Sequence, residues 1–188
     1  MNPVSAIEIA WVAWWASWWA AAGWSNRTIK RPSALRETPY RLGTIVGIIL
    51  LAGLYPHRFY SELVLWRSGP TLGWAMVAVA LAGFLFMWWA RIVLGRLWSA
   101  GVRVKEHHRV VDTGPYGMVR HPIYTGIIVA GFATAVLRGT ALGFLGATIM
   151  TVSWYIKARM EERFLREQLG AENYDAYARR VPMLVPFL

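Results

Sequence analysis

The chain has 188 residues, of which 56% are hydrophobic and only 16% charged, with 12 Trp and no Cys. An ordinary soluble domain carries about 25% charged residues, and a chain this short has too little interior to bury so much apolar surface. The composition therefore excludes an ordinary soluble domain and indicates that lipid surrounds part of the chain. Without Cys, disulfides, thiolate nucleophiles and cysteine-based zinc sites are excluded.

Apolar segments predict five membrane helices. The first, residues 5–24, holds one charge, Glu8, and is long enough to cross a bilayer core. Its Trp residues recur at helical spacing, which predicts helix packing or lipid contact rather than ligand stacking. The four later segments are 41–55, 70–90, 122–137 and 140–156. The last two are short for spanning helices and nearly contiguous, so we expect a helical hairpin whose tip barely reaches the far side.

The distribution of Lys and Arg predicts the orientation. Of the 20 basic residues, 17 follow the first, third or fifth apolar segment, and only Arg58, Arg67 and Arg138 fall on the other side. The positive-inside rule then places the N-terminus outside, with residues 91–121 and the C-terminal tail in the cytoplasm. A net charge of +10 spread between apolar runs fits an anionic lipid surface. Nucleic acid is excluded as a partner, because its binding requires a basic stripe on a soluble fold.

The C-terminal tail is predicted to be helical. Charges in residues 157–180 pair at helical spacing, so the fifth helix should continue into water as an amphipathic helix that stops near Gly170. A second short helix should carry Tyr174 and Tyr177, and the prolines that follow should keep the end extended. The expected fold class is an all-α integral membrane protein with about five transmembrane helices and a cytoplasmic helical tail.

The least lipid-like stretch, residues 107–126, contains the first candidate site. Gly114-Pro115 is typical of a turn, and Pro122 fits the first position of the fourth helix. Unpaired amides at that helix start, beside Arg120, predict a site for a carboxylate or phosphate. The alternative is that Arg120 is a headgroup anchor and His121 a capping residue.

A pair of carboxylates forms the second candidate. Glu161 and Glu162 lie just beyond the fifth apolar segment, where they can approach Arg120 and either bind a cation or act as a base. The alternative is a solvated lattice of salt bridges with neighbouring Lys and Arg. His107 and His108 are adjacent histidines without further ligands, so we expect no metal site.

Residues 107–188 resemble the isoprenylcysteine carboxyl methyltransferase family of integral membrane enzymes. The resemblance rests on the elements His108, Gly114-Pro115-Tyr116, Arg120-His121-Pro122-x-Tyr124-x-Gly126, Glu161-Glu162-x-x-Leu165, Gly170, Tyr174-x-x-Tyr177, Arg180-Val181-Pro182 and Pro186-Phe187. The first 106 residues match only as a pattern of hydrophobic helices. We therefore divide the chain into N-terminal membrane helices with the start of a linker (1–106) and a catalytic region (107–188).

The resemblance implies S-adenosylmethionine-dependent methyl transfer at the cytosolic membrane face. The acceptor would be lipophilic and reach the site from the bilayer, with the carboxylate of a prenylated cysteine as one candidate. Arg120, Tyr124 and Glu161 would lie near the transferred methyl group or the acceptor, as catalytic residues. The residues expected to bind the cofactor are His108, Gly114, Tyr116, His121, Glu162, Arg180, Val181 and Pro182.

Two other functions are weighed against this one. Membrane sterol reductases that use NADPH carry a similar C-terminal pattern around the Arg-His-Pro motif. Ile123-Tyr124, Glu161-Glu162 and the short chain favour methyl transfer. A non-catalytic membrane scaffold is the third possibility.

Whether methyl transfer needs a general base depends on the acceptor. A carboxylate acceptor would need no base, whereas a thiol, hydroxyl or protonated amine would need one, with Glu161 or a histidine as the candidate.

Overall fold

The structure is a computed structural model that describes residues 1–24, 28–30, 34–56, 63–98, 104–105 and 111–186. Its α-helices are α1 Pro3–Ala20, α2 Ala34–Ala52, α3 Pro70–Leu94, α4 Pro122–Arg138, α5 Ala141–Leu169 and α6 Ala171–Arg180. Two short strands, β1 Thr28–Lys30 and β2 Val104–Lys105, pair antiparallel. The helical fold class is confirmed, and the ribbon is a small addition that the sequence does not predict.

The predicted helix boundaries in the second half of the chain are confirmed. Pro122 occupies the start of α4, and Gly139 ends that helix in the left-handed conformation with φ 62°. The Thr140 side chain then accepts a hydrogen bond from the Gly143 amide and caps α5, as capping hydroxyls do. The α5 helix runs unbroken to Leu169, so the hairpin helix and the amphipathic tail helix are one element.

Glycines bring the helices into close contact. The α1 helix packs on α3, α3 on α4, α4 on α5, and α5 on α2. A Cβ atom on Gly126 of α4 would lie only 2.6 Å from the carbonyl oxygen of Gly83 on α3, and one on Gly146 of α5 would lie 2.7 Å from that of Gly47 on α2. Small residues at such crossings let helix backbones approach, which supplies packing energy where the surroundings are already apolar.

The aromatic first helix packs through one face. Trp14 is buried and stacks on Phe84 of α3, with ring centroids 5.7 Å apart, and Trp11 meets the same ring edge-on at 4.8 Å. Trp15 and Trp19 lie on the outer side, 40% and 68% exposed. The prediction of a helix-packing role is therefore confirmed for the inner Trp residues.

The two ends of the bundle differ in what covers them. At one end, the β1–β2 ribbon joins the linker after α1 to the linker after α3. The guanidinium of the buried Arg91 lies at this end and donates to the carbonyl oxygens of Ala21 and Trp24, at 3.0 and 2.7 Å. At the other end, residues 63–69 cover the α4–α5 turn, where the Leu65 amide donates to the Gly139 carbonyl at 2.7 Å.

Helices occupy all five positions predicted to span a membrane, but they differ in length and apolarity. Among the described residues, Pro70–Leu97 and Ala141–Gln168 are both long and apolar enough to cross a bilayer, with mean hydropathies of 2.0 and 1.2. The apolar α4 helix has 17 residues, which extend about 25 Å at 1.5 Å per residue. That length is short of a hydrocarbon core of roughly 30 Å.

Candidate active site

The C-terminal tail folds back along the start of α4. The amides of Arg120 and His121 donate to the carbonyl oxygens of Pro182 and Met183, at 2.8 and 3.1 Å. The Thr125 hydroxyl donates to the carbonyl of Leu184 at 2.6 Å. Carbonyl groups of the tail therefore take up these two amides, so neither is open to an anion.

Arg120 connects three parts of the site. Its Nε donates to Glu162 Oε1 at 2.6 Å, and its Nη1 donates to the carbonyl oxygens of Ala178 and Val181. Only 11% of the Arg120 side chain and 12% of the Glu162 side chain are exposed. Arg120 is therefore not a headgroup anchor, and Glu162 does not belong to a solvated salt-bridge lattice. The alternatives are therefore wrong for Arg120 and Glu162, because this pair is largely enclosed and joins residues far apart in the chain. His121 is nevertheless the N-cap residue of α4, and Lys157 does approach Glu161 one turn away, as the alternatives expected.

His121 lies between the two carboxylates. Its Nε2 is 3.3 Å from Glu162 Oε1, and its Nδ1 is 3.7 Å from Glu161 Oε2. The imidazole stacks on the Tyr124 ring with an interplanar angle of 4°. Both ring nitrogens of His121 therefore face a carboxylate, one on each of two neighbouring residues of α5.

Glu161 is bound by a phenol. The Tyr124 hydroxyl donates to Glu161 Oε2 at 2.6 Å, and the ammonium of Lys157 lies 4.0 Å from Oε1. Tyr124 is buried, whereas 19% of the Glu161 side chain is exposed. Glu161 is thus oriented by the protein yet still accessible, as a carboxylate that meets a ligand must be.

The turn before α4 is fixed to α6. Gly114–Gly117 form a 3₁₀ turn, and the Tyr177 hydroxyl donates to the Tyr116 carbonyl at 2.7 Å. Gly114 adopts φ 58°, a left-handed conformation that favours glycine. Burial raises the pKa of the Tyr116 and Tyr177 hydroxyls, so both remain neutral donors.

The structure brings most of the predicted site residues together. Their cluster joins the 3₁₀ turn, the start of α4, the middle of α5 and the tail, and it contains Gly114, Tyr116, Arg120, His121, Tyr124, Glu161, Glu162, Val181 and Pro182. Arg180 differs, because its side chain is 68% exposed and its guanidinium lies 3.6 Å from Asp112. His108 lies outside the described residues. Within the described residues no group of His, Asp and Glu side chains forms a metal site.

Sequence reasoning missed the contribution of α2. The buried residues Glu37 and Tyr40 lie in the first two turns of this helix, and the Tyr40 ring faces the Lys157 ammonium at 5.7 Å. The i,i+4 spacing of Lys157 and Glu161 predicts only a salt bridge on the surface of a helix. Nothing in the pattern of residues 34–41 indicates that they reach α5, because that contact depends on how the helices pack.

A family model describes the centre of this chain. The isoprenylcysteine carboxyl methyltransferase family matches residues 76–167, a range that contains the 3₁₀ turn, α4 and the Glu161-Glu162 pair. Two bacterial relatives are named methanethiol S-methyltransferases. The one from Pseudomonas is 35% identical over 180 residues, covering 88% of this chain and 67% of the relative.

The chain belongs to the isoprenylcysteine carboxyl methyltransferase family. The second bacterial relative, from Bradyrhizobium diazoefficiens, is 32% identical over 182 residues, covering 87% of this chain and 58% of the relative. A protein-S-isoprenylcysteine O-methyltransferase of Arabidopsis thaliana is 26% identical, covering 87% of this chain and 78% of the relative. These matches favour methyl transfer over the reductase alternative.

The family fold is also shared. A solved structure of the eukaryotic intramembrane Ras methyltransferase, an isoprenylcysteine carboxyl methyltransferase, matches with a TM-score of 0.52 at 18% identity. The match covers 84% of this chain and 54% of the other. This chain therefore spans little more than half the length of the Bradyrhizobium relative and of that solved structure.

Proposed function

We propose that the protein is an integral membrane methyltransferase that uses S-adenosylmethionine to methylate a lipophilic acceptor. The observation that carries the proposal is the largely enclosed cluster of Arg120, His121, Glu161 and Glu162, in which Glu161 stays accessible. S-adenosylmethionine carries an ammonium, a carboxylate and a sulfonium. A cluster with two carboxylates, a guanidinium and an imidazole offers partners for both signs of charge, so the residues fit this cofactor.

The proposed roles divide the cluster in two. His108, Gly114, Tyr116, His121, Glu162, Arg180, Val181 and Pro182 are proposed to surround the cofactor. Arg120, Tyr124 and Glu161 are proposed to lie near the acceptor. The bound cofactor supplies an electrophilic methyl group on its sulfonium. The protein's task is then to align the acceptor in line and to exclude water, which accounts for much of the acceleration of such a displacement.

The acceptor is proposed to be an anionic sulfur or oxygen atom on an amphiphilic molecule. The names of the relatives point to two acceptors, methanethiol and the carboxylate of an isoprenylated cysteine. In either reaction the acceptor's lone pair forms the new bond to carbon, and the breaking carbon–sulfur bond leaves its electron pair on sulfur. A carboxylate is already ionised at neutral pH. A thiol must first lose a proton, for which Glu161 is the proposed base.

The membrane arrangement is part of the same proposal. Helices α1 to α5 would span or enter the bilayer, with the N-terminus outside and the cluster at the cytoplasmic face. The support is the 17 basic residues on the linkers and tail, together with the ribbon that places the two linkers at one end. Residues 107–188 would form the catalytic region, and membrane lipids would surround the helices α1 to α3 of residues 1–106.

Ligand titration tests the proposal. Adding S-adenosylmethionine to the purified full-length protein in detergent should quench the fluorescence of its Trp residues, whereas adding NADPH should not. Radiolabelled methyl transfer is then measured with a prenylcysteine analogue, an alkyl thiol and a phospholipid amine. Turnover of the first or second compound supports the proposal. Binding of NADPH without binding of S-adenosylmethionine would overturn it.

A further inference from the structure

A buried lysine lies in a cage of aromatic rings next to the proposed catalytic carboxylate. Only 6% of the Lys157 side chain is exposed. Its ammonium lies 4.9 Å from the ring centroid of Trp154, 5.2 Å from that of Tyr124 and 5.7 Å from that of Tyr40. The three rings come from α5, α4 and α2, so a single cation contacts three helices.

The cage and the carboxylate share one residue. The ring of Tyr124 faces the Lys157 ammonium, while its hydroxyl donates to Glu161 Oε2 at 2.6 Å. The other carboxylate oxygen, Oε1, lies 4.0 Å from the same ammonium. Glu161 is therefore bound on one oxygen by a phenol and faced on the other by a cation.

A packing role alone does not account for this arrangement. Removing an ammonium from water is costly unless opposite charge or aromatic faces replace the solvent. A cation over an aromatic ring within about 6 Å is attracted by the ring's electron density. Around Lys157, three aromatic rings and one carboxylate take the place of the lost water. An uncharged side chain would fill the same volume without needing these partners.

Other charged and titratable groups also face Glu161. His121 lies 3.7 Å from it, and several groups on other elements act on it or on Lys157 at longer range. These are Glu37, Tyr40 and Arg41 on α2, Tyr116 in the 3₁₀ turn and Tyr174 on α6, while Glu162 is the adjacent residue on α5. Glu37 and Arg41 form an ion pair with each other, so their charges largely offset, and Lys157 is the cation nearest to Glu161 on its own helix.

We propose that Lys157 is a positioning residue that holds the Glu161 carboxylate beside Tyr124, a role that rests on the proposed contact between Glu161 and the methyl acceptor. Helix α2 then contributes to the active site through Tyr40, although it precedes the part of the chain that the family model matches. Lys157 does not touch the acceptor; it acts through the carboxylate.

The test compares Lys157→Met with Lys157→Arg in the full-length protein. Methionine retains the length and the apolar contact with the rings but removes the charge, whereas arginine retains the charge. The affinity for S-adenosylmethionine should stay within about twofold in both variants. The pH dependence of kcat is then measured with a thiol acceptor. In Lys157→Met, the acid limb of this profile should shift to higher pH by about one unit or more, the usual effect of losing a cation at this distance.

The controls separate this inference from the proposed function. An unmoved acid limb in a Lys157→Met protein that still binds S-adenosylmethionine overturns the role of Lys157 and leaves the proposed function intact. Failure of the wild-type protein to bind that cofactor overturns the proposed function instead. If Lys157→Met does not fold, Lys157→Arg decides the matter. The acid limb of its kcat profile should stay at the wild-type pH because the cation is retained, and a rise of about one pH unit or more in this variant overturns the inference.

Discussion

The Arg120 guanidinium and the Glu162 carboxylate form a 2.6 Å ion pair that joins the start of α4 to α5. Because both side chains are largely buried, removing one leaves the other charge without compensation, which typically costs about 3–5 kcal/mol. The same guanidinium also binds the carbonyl groups of Ala178 in the last turn of α6 and of Val181 just after it. The pair therefore fixes the tail as well as the proposed cofactor site.

Replacing Arg120 with alanine should abolish methyl transfer while the helix bundle stays folded. The tail should detach from α4 and become sensitive to protease, which limited proteolysis followed by mass spectrometry would detect. The exposed Arg163 on α5 provides the control, and Arg163→Ala should retain activity and resistance. Full turnover by Arg120→Ala would show that Arg120 has no part in catalysis.

Replacing Glu161 with glutamine should distinguish the two proposed acceptors. If Glu161 acts as a base, turnover of a thiol should fall by about 10²-fold or more, the usual range for general bases, while binding of S-adenosylmethionine is retained. A carboxylate acceptor needs no base and should lose much less. The exposed Glu167 gives the matched control, Glu167→Gln. Equal losses for both acceptors would contradict a role for Glu161 in proton removal.

Replacing Tyr177 with phenylalanine should loosen the turn that contains Tyr116. The change removes one buried hydrogen bond, and leaves the Tyr116 carbonyl unsatisfied, so the free energy of unfolding should fall by about 1–3 kcal/mol. The affinity for S-adenosylmethionine should fall with it. Tyr155→Phe removes a hydroxyl from a half-exposed tyrosine on α5 and should change neither quantity. Unchanged values in Tyr177→Phe would mean that this bond is not important for the site.

Replacing Gly126 with alanine should push α3 and α4 apart at their crossing and lower the stability of the protein. The added methyl group would contact Met87 and the Gly83 carbonyl oxygen, and overpacking of this kind typically costs about 1–3 kcal/mol. Thermal unfolding in detergent would measure the effect. Gly23→Ala is the control, because a methyl group there meets nothing within 4 Å. A thermal midpoint equal to that of the control would mean that the helices adjust without cost.

Local rules predicted much of the fold. Pro122 marked the start of α4, Gly170 marked the end of α5, and Tyr174 and Tyr177 fell on a separate short helix, as expected. These features depend on backbone geometry within a few residues. The start of α2 at Ala34 did not follow from such rules, because this helix passes through Pro39 and begins seven residues before the apolar segment.

The partners of the charged residues were harder to predict. Glu162 has basic neighbours one turn away on its own helix, and the sequence alone made those contacts the simplest expectation. In the structure, Glu162 binds Arg120 because the tail and the start of α4 enclose both. The cage around Lys157 likewise requires rings from three helices. Contacts of this kind follow from the packing of the helices, which a single sequence does not display.

The return of the tail to α4 also orders events during synthesis. The carbonyl of Val181, which Arg120 binds, lies 61 positions after Arg120 in the chain. All of α4, α5 and α6 must therefore leave the ribosome before Arg120 can bind the tail. The helices made earlier would wait without this contact, and the proposed cofactor site would close only when residues 181–184 reach the start of α4.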